Sequence, residues 1–198
     1  MYLVVRAILR FLCFFAFKIK IVNRPMSDPD EGLIICPNHQ SILDIVVMAV
    51  TYPGRITFVG KKELEKSRLA FFYRSMGTIF INRDQVEMET IRTIIHRLGE
   101  GETLCIFPEG TRVKEVDPRN MKEGVGLFLQ RTQCKLLPVH IQADYRFRGR
   151  ITVEYRDYLD YEEVKALPRK DQRPYLSQKI FNAIYATDYP ISDFSQKD

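Results

Sequence analysis

Residues 33–44 read Leu-Ile-Ile-Cys-Pro-Asn-His-Gln-Ser-Ile-Leu-Asp, and the character of the chain changes three times within them. Leu33 to Cys36 is an unbroken apolar run of strand length, the pattern of a strand covered on both faces. Pro37 and Asn38 then punctuate it. Ser41 opens a segment reaching Ala49 whose apolar residues recur at helical spacing, with Ser41 placed as N-cap. Asp44 stands three residues further on, so the pair reads as a capping box with Asp in place of Glu. A covered strand, a short polar loop and a capped helix make the first half of a β–α unit.

The same alternation runs along the chain after a polar turn rich in Pro and Asp, Pro25 to Gly32. Strands are expected at Ile56–Val59, Thr78–Ile81, Thr103–Phe107, Leu136–Ile141 and Ile151–Tyr155. Helices are expected at Ser67–Ser75, about Val86–Leu98, Glu123–Arg131 and Tyr175–Ala186, the second of these closed by Gly99 and Gly101. Such repetition predicts an α/β layered fold with a largely parallel central sheet flanked by helices. In sheets of this kind ligands gather at loops leaving the carboxyl ends of strands. The loops at 37–44, 60–66, 82–85 and 108–122 are therefore where chemistry is expected.

Composition narrows the class. The chain has 198 residues, 45% of them hydrophobic and 28% charged, enough for one sizeable core. Ten Gly and ten Pro exclude collagen-like and Pro-rich chains, and no internal repeat is visible. The net charge of +5 suits an anionic partner: nucleic acid, a membrane surface or a phosphorylated substrate. The interleaved aromatic and basic face of a nucleic-acid module is absent. Cys13, Cys36, Cys105 and Cys134 show no CxxC pairing and sit in apolar runs. They read as reduced, buried thiols, not a disulfide frame or a zinc site. The three histidines, His39, His96 and His140, argue against a His-rich metal centre.

The chain starts MYLVVRAILRFLCFFAF, with Lys18, Lys20 and Arg24 close behind. A spanning helix needs ~20 mostly apolar residues, and this run is shorter and holds Arg6 and Arg10. It also lacks the basic start and small-residue cleavage site of a secretory signal. Arg6 and Arg10 share a helix face, and Tyr2, Leu3, Ala7, Leu9, Phe11, Leu12 and Phe15 lie opposite. The favoured reading is an amphipathic helix in the membrane interface, basic stripe toward the headgroups. The alternative is a hydrophobic first helix docked on the protein's own core. The domain division that follows is 1–22 for the interfacial helix and 23–198 for the body.

Two loops carry the strongest chemistry. His39 precedes the helix start and Asp44 lies one turn inside it, so the carboxylate can sit beside the imidazole. A carboxylate there sets the tautomer and makes the histidine a general base near neutral pH. Capping alone also accounts for Asp44, and from spacing the two readings stand level. The second loop is Phe107-Pro108-Glu109-Gly110-Thr111-Arg112. Gly110 lets backbone approach a ligand, Thr111 offers a hydroxyl, and Arg112 presents paired donors suited to phosphate. Glu109 is placed to hold the Arg112 guanidinium, and a surface turn with a local salt bridge is the plainer reading. Gly77–Arg83 reads as a strand ending in a candidate anion contact, Arg83. Lys61, Lys62 and Arg68 add positive charge nearby, and Lys122 and Gly124 stand at a helix start that favours anions.

Together these blocks resemble the glycerolipid acyltransferases of the 1-acyl-glycerol-3-phosphate acyltransferase type. NHQSILD (38–44) resembles the first block of that family, GTIFINR (77–83) the second, FPEGTR (107–112) the third and LLPVHI (136–141) the fourth; VGKKEL (59–64) fits the segment between the first two. All stand in order between Gly32 and Ile141. The resemblance implies transfer of a fatty acyl group from a thioester, acyl-CoA or acyl-carrier protein, to the free hydroxyl of lysophosphatidic acid, giving phosphatidic acid without metal or cofactor. It implies that His39 takes the hydroxyl proton and Asp44 orients it. Arg83, Gly110, Thr111 and Arg112 would hold the glycerol phosphate, with Glu109 positioning the arginine. Backbone amides from Ser41 to Leu43 are candidate oxyanion donors. Acceptors with another headgroup, or a non-catalytic membrane-binding protein on the same fold, are the alternatives. A place on the cytoplasmic face of the cell membrane, peripheral or monotopic, is the matching expectation.

Overall fold

The structure, a computed structural model, describes residues 2–26, 31–67, 70–82 and 87–194. Its strands are β1 (Phe17–Val22), β2 (Leu33–Pro37), β3 (Thr57–Lys61), β4 (Ile79–Ile81), β5 (Thr103–Cys105), β6 (Lys135–Ala143) and β7 (Gly149–Tyr155). Its α-helices are α1 (Tyr2–Ala16), α2 (Leu43–Thr51), α3 (Ala70–Ser75), α4 (Met88–Gly99), α5 (Gly124–Thr132), α6 (Glu162–Lys165) and α7 (Arg169–Tyr185). The strands form one sheet in the order β1-β7-β6-β2-β5-β3-β4. Every pairing between these strands is parallel except β6 with β7. The layered, largely parallel sheet expected from the strand–helix alternation is what forms.

Central strand β2 shows why. All of Leu33–Pro37 is buried, and its side chains alternate between two cores. Ile34 and Cys36 join Leu98, Phe128, Leu176 and Phe181 beneath α4, α5 and α7. Leu33 and Ile35 join Val47, Met48 and Tyr2 beneath α2 and α1. A strand between two helical layers has no polar face, which is why it reads as a continuous apolar run. The four cysteines are all buried and unpaired, and burial pushes the Cys36 and Cys105 thiols well up.

The start of the chain departs from expectation. The segment 1–22 is not one helix: α1 ends at Ala16, and Phe17–Val22 is an edge strand in parallel register with β7, Ile19 opposite Ile151. FKIKIV alternates apolar and basic residues, a period-2 signal that the long apolar run before it obscures. The basic stripe is also redirected. Arg6 is buried and donates to the carbonyls of Tyr52, Pro53 (3.0 Å) and Gly54 (2.9 Å). Arg10 Nε donates to Val50 O at 3.0 Å. These carbonyls lie at and just past the end of α2, where backbone acceptors lack helical partners and the dipole is negative. A guanidinium answers both needs, so Arg6 is turned inward, while Arg10 stays exposed and gives its Nε to the helix end. Tyr2 is likewise buried and accepts from Ile56 N at 3.1 Å. The outward face of α1 is left to Leu3, Val4, Ile8, Phe11, Leu12, Phe14 and Phe15, all exposed. Among the described residues no helix is long and apolar enough to cross a membrane.

Candidate active site

The loop from β2 to α2 is pinned before it reaches His39. Asn38, fully buried, accepts from Ile141 N at 2.6 Å and donates to Ile141 O at 3.0 Å. Its amide thus prolongs the β2–β6 pairing by one peptide-like step. Breaking it would leave a buried donor and acceptor unpaired, at about 1–3 kcal/mol for each such group.

Helix α2 begins at Leu43, although Ile42 already has helical angles. Ser41 caps it: its Oγ accepts from Leu43 N at 3.3 Å, and Asp44 Oδ2 accepts from Ser41 N at 2.7 Å. The capping box is present. The same oxygen accepts from Gln40 N at 2.7 Å and faces His39 Nδ1 at 3.0 Å. Cap and imidazole orienter are therefore one carboxylate, and the two readings of Asp44 do not compete. An oxygen already accepting from two amides is an acceptor, which places the proton on Nδ1 and leaves the His39 Nε2 lone pair free. His39 stacks on Phe107 with ring centroids 4.0 Å apart, so the imidazole is held on two sides. Its side chain keeps 14% exposure while that of Asp44 has none. Of the candidate oxyanion donors, the Ser41 and Leu43 amides are engaged in the cap, and Ile42, between them, lines the His39 cavity.

Asp44 has a further partner beyond every block singled out in the sequence. Tyr145, just past the end of β6, donates its hydroxyl to Oδ1. Burial, then the carboxylate beside it, raises the phenol far above its ordinary range, so it stays a donor.

The 107–112 loop leaves β5 alongside. Gly110 closes its turn at φ +69°, with Gly110 N donating to Phe107 O at 3.0 Å, a conformation suited to glycine. Gly110, Thr111, Arg112 and His39 line one cavity of about 210 Å³. Lys61 also lines it, whereas Lys62 pairs with Glu87 at 2.6 Å. A second cavity of about 650 Å³ adjoins along Val59, Phe107, Gly110 and Thr111 and continues between Ile81, Ile91, Val125 and Phe128. Arg83 and Arg68 lie outside the described residues.

Glu109 does not hold Arg112. It is 2% exposed, accepts from His39 N at 2.8 Å, and accepts from the Tyr185 hydroxyl of α7. Arg112 is exposed and forms no ion pair among the described residues. The loop turns between them, so the acid faces the histidine backbone while the guanidinium faces solvent. Burial pushes the Glu109 carboxyl from its ordinary 4.5 to about 7, despite the Tyr185 and His39 donors that pull it down. Between about pH 4.5 and 7 the folded chain thus holds a proton that the unfolded chain has lost. Stability falls as pH rises through that window, by roughly 3 kcal/mol from this group. Glu109→Gln keeps an acceptor for His39 N, and Tyr185 can reverse its hydroxyl. Its melting temperature is expected to be flatter than wild type's between roughly pH 5 and 8, and higher at the upper end. Parallel melting curves would refute the assignment.

With this geometry in view, the comparisons decide the family. The model of the family described as Acyltransferase matches residues 18–142. The chain belongs to the acyltransferase family. It is 25% identical over 169 residues to the 1-acyl-sn-glycerol-3-phosphate acyltransferase of Bacillus subtilis, covering 82% of this chain and 84% of that one. It is 29% identical over 133 residues to the Helicobacter pylori protein of the same name, covering 64% and 55%. The crystal structure of the 1-acyl-sn-glycerophosphate acyltransferase PlsC from Thermotoga maritima superimposes with a TM-score of 0.67 at 20% identity, over 93% of this chain and 78% of that one. That last likeness is one of fold.

The family match begins at Lys18 and so takes in β1, which belongs with the sheet of this acyltransferase and not with α1. His39 and Asp44 come together as its spacing implies, and Gly110, Thr111 and Arg112 join His39 at the cavity. Tyr145 and Tyr185 stand outside the sequence blocks, and Asn38, inside the first, gains its role from Ile141, 103 residues away. Tyr145 follows a strand's carboxyl end, the one positional cue it offers. Tyr185 sits 76 residues from Glu109, and nothing local marks it.

Proposed function

We propose that this acyltransferase acylates the free hydroxyl of lysophosphatidic acid to give phosphatidic acid, with acyl-CoA or acyl-carrier protein as the donor. The observation carrying this reading is His39: its Nδ1 is committed to a buried carboxylate, and its ring lines the cavity that holds Arg112. His39 Nε2 takes the hydroxyl proton as the oxygen attacks the thioester carbonyl, and later returns it to the leaving thiolate. Arg112 and Thr111 hold the acceptor phosphate, keeping its hydroxyl near the base. Tyr73 and Thr78 also line this cavity, and their hydroxyls are buried without a partner among the described residues. The adjoining apolar cavity suits a fatty chain. The names of the relatives favour lysophosphatidic acid over acceptors with larger headgroups.

Both acceptor and product reside in a bilayer, and the exposed apolar face of α1 suits the membrane interface, at the cytoplasmic side where either thioester is found. No metal enters the scheme. The test is acyl transfer by the full chain to detergent-dispersed lysophosphatidic acid, with palmitoyl-CoA and palmitoyl carrier protein compared. Phosphatidic acid is expected, and the faster thioester identifies the donor. No product with either would overturn the acceptor assignment. Arg112→Lys keeps the charge but loses the forked donors, so KM for the acceptor is expected to rise on the order of 10-fold. Unchanged kinetics would remove Arg112 from the phosphate site.

A further inference from the structure

The turn joining β6 to β7, Asp144-Tyr145-Arg146-Phe147-Arg148, is built to hold an aromatic ring in water. Arg146 N donates to Asp144 Oδ1 at 3.2 Å, and its guanidinium grips the same carboxylate. Arg148 takes a left-handed conformation at φ +62°. A Cβ on Gly149 would meet Asp144 O at 2.1 Å, so the turn admits glycine alone there. Through all this order Phe147 remains 82% exposed.

Its surroundings say what the ring meets. Arg148 N donates to Ala16 O at 2.6 Å, fastening the turn to the end of α1, whose last residues include the exposed Phe14 and Phe15. Tyr145 packs edge-on against Phe17 with centroids 5.9 Å apart. Arg148, Lys18, Lys20 and Arg150 are exposed around the junction, and none forms an ion pair among the described residues. An aromatic ring beside the end of an apolar helix, with unpaired cations on the turn itself and on the two edge strands that leave it, fits an anionic lipid surface.

We infer that the 144–148 turn is a second bilayer contact, inserting Phe147 among acyl chains while Arg148, Lys18, Lys20 and Arg150 meet anionic headgroups. This rests on the membrane reading of α1 and adds a separate element to it. The turn also carries Tyr145, the donor to Asp44, so the surface that touches lipid is two residues from the catalytic pair's support. The acceptor would then leave the bilayer beside His39.

The chain contains no tryptophan, so Phe147→Trp makes a sole reporter, with Phe14→Trp as its counterpart on α1. Each is mixed with vesicles of phosphatidylcholine and phosphatidylglycerol whose acyl chains carry bromine. Blue-shifted, quenched emission from both is expected. Quenching of Phe14→Trp alone would overturn the turn's role while keeping that of α1. Quenching of neither would overturn both readings. A blue shift of Phe147→Trp without lipid, with self-association in sedimentation, would show that a second copy covers the ring, and would overturn the inference. Phe147→Ser should weaken vesicle affinity by roughly tenfold or more, since the ring's transfer is lost and no core contact is touched. Wild-type affinity in that variant would overturn it too.

Discussion

His39→Ala is expected to lower kcat by about three orders of magnitude while the protein remains folded. The size follows from the chemistry: an alcohol is a poor nucleophile until its proton is taken, and no other described residue with a free imidazole lines the cavity. Folding should survive because the ring is partly exposed and makes one stacking contact, with Phe107. The substitution leaves His39 N free to donate to Glu109, so the loop's backbone anchor is retained. Turnover with lysophosphatidic acid and a melting curve, measured on the same preparation, check both halves. Near-normal turnover would dismiss His39 as the base.

Asp44→Asn should lower kcat by about 10²- to 10⁴-fold with a much smaller effect on KM. An asparagine can keep its oxygen where Oδ2 accepts from Gln40 N, Ser41 N and His39 Nδ1. Its amide then faces Tyr145, whose hydroxyl can turn and accept. Geometry is thereby preserved and charge removed, so the imidazolium that forms during proton transfer goes unstabilised. The melting temperature should fall only modestly, in contrast with Asp44→Ala, which orphans all of those donors in a fully buried site. A loss of turnover matched by wholesale unfolding would instead mark Asp44 as a cap and nothing more.

Much of this architecture is legible in local pattern. β2 and the loop to α2 announce themselves because a strand buried on both faces, a capped helix and a histidine between them each leave a signal within a few residues. The 107–112 loop is equally readable as a turn with a glycine at its corner. What escaped reading depends on contacts far apart in the chain. Glu109 reads as a partner for its neighbour Arg112 because three residues separate them, yet its partners are His39 and Tyr185, brought by folding. Arg6 and Arg10 read as a stripe for headgroups because their spacing describes a face, and spacing does not say what a face meets. The carbonyls at the end of α2 meet it first. β1 reads as a continuation of the preceding helix because an apolar run masks the point where the period changes from 3.6 to 2.

The bonds from the α1 arginines to the end of α2 bear on how this protein is best made soluble for study. Trimming a greasy N-terminus is the usual recourse, but here residues 2–16 are also a clasp. Cutting them away removes Arg6 and Arg10 from the α2 carbonyls and Tyr2 from the core, at the far end of the helix whose first turn holds Asp44. Cutting to residue 22 also strips an edge strand and bares the hydrogen-bonding row of β7 to chance association. Polar replacement of the outward Phe11, Phe14 and Phe15 leaves the clasp intact, and is the route to an aqueous preparation that still folds.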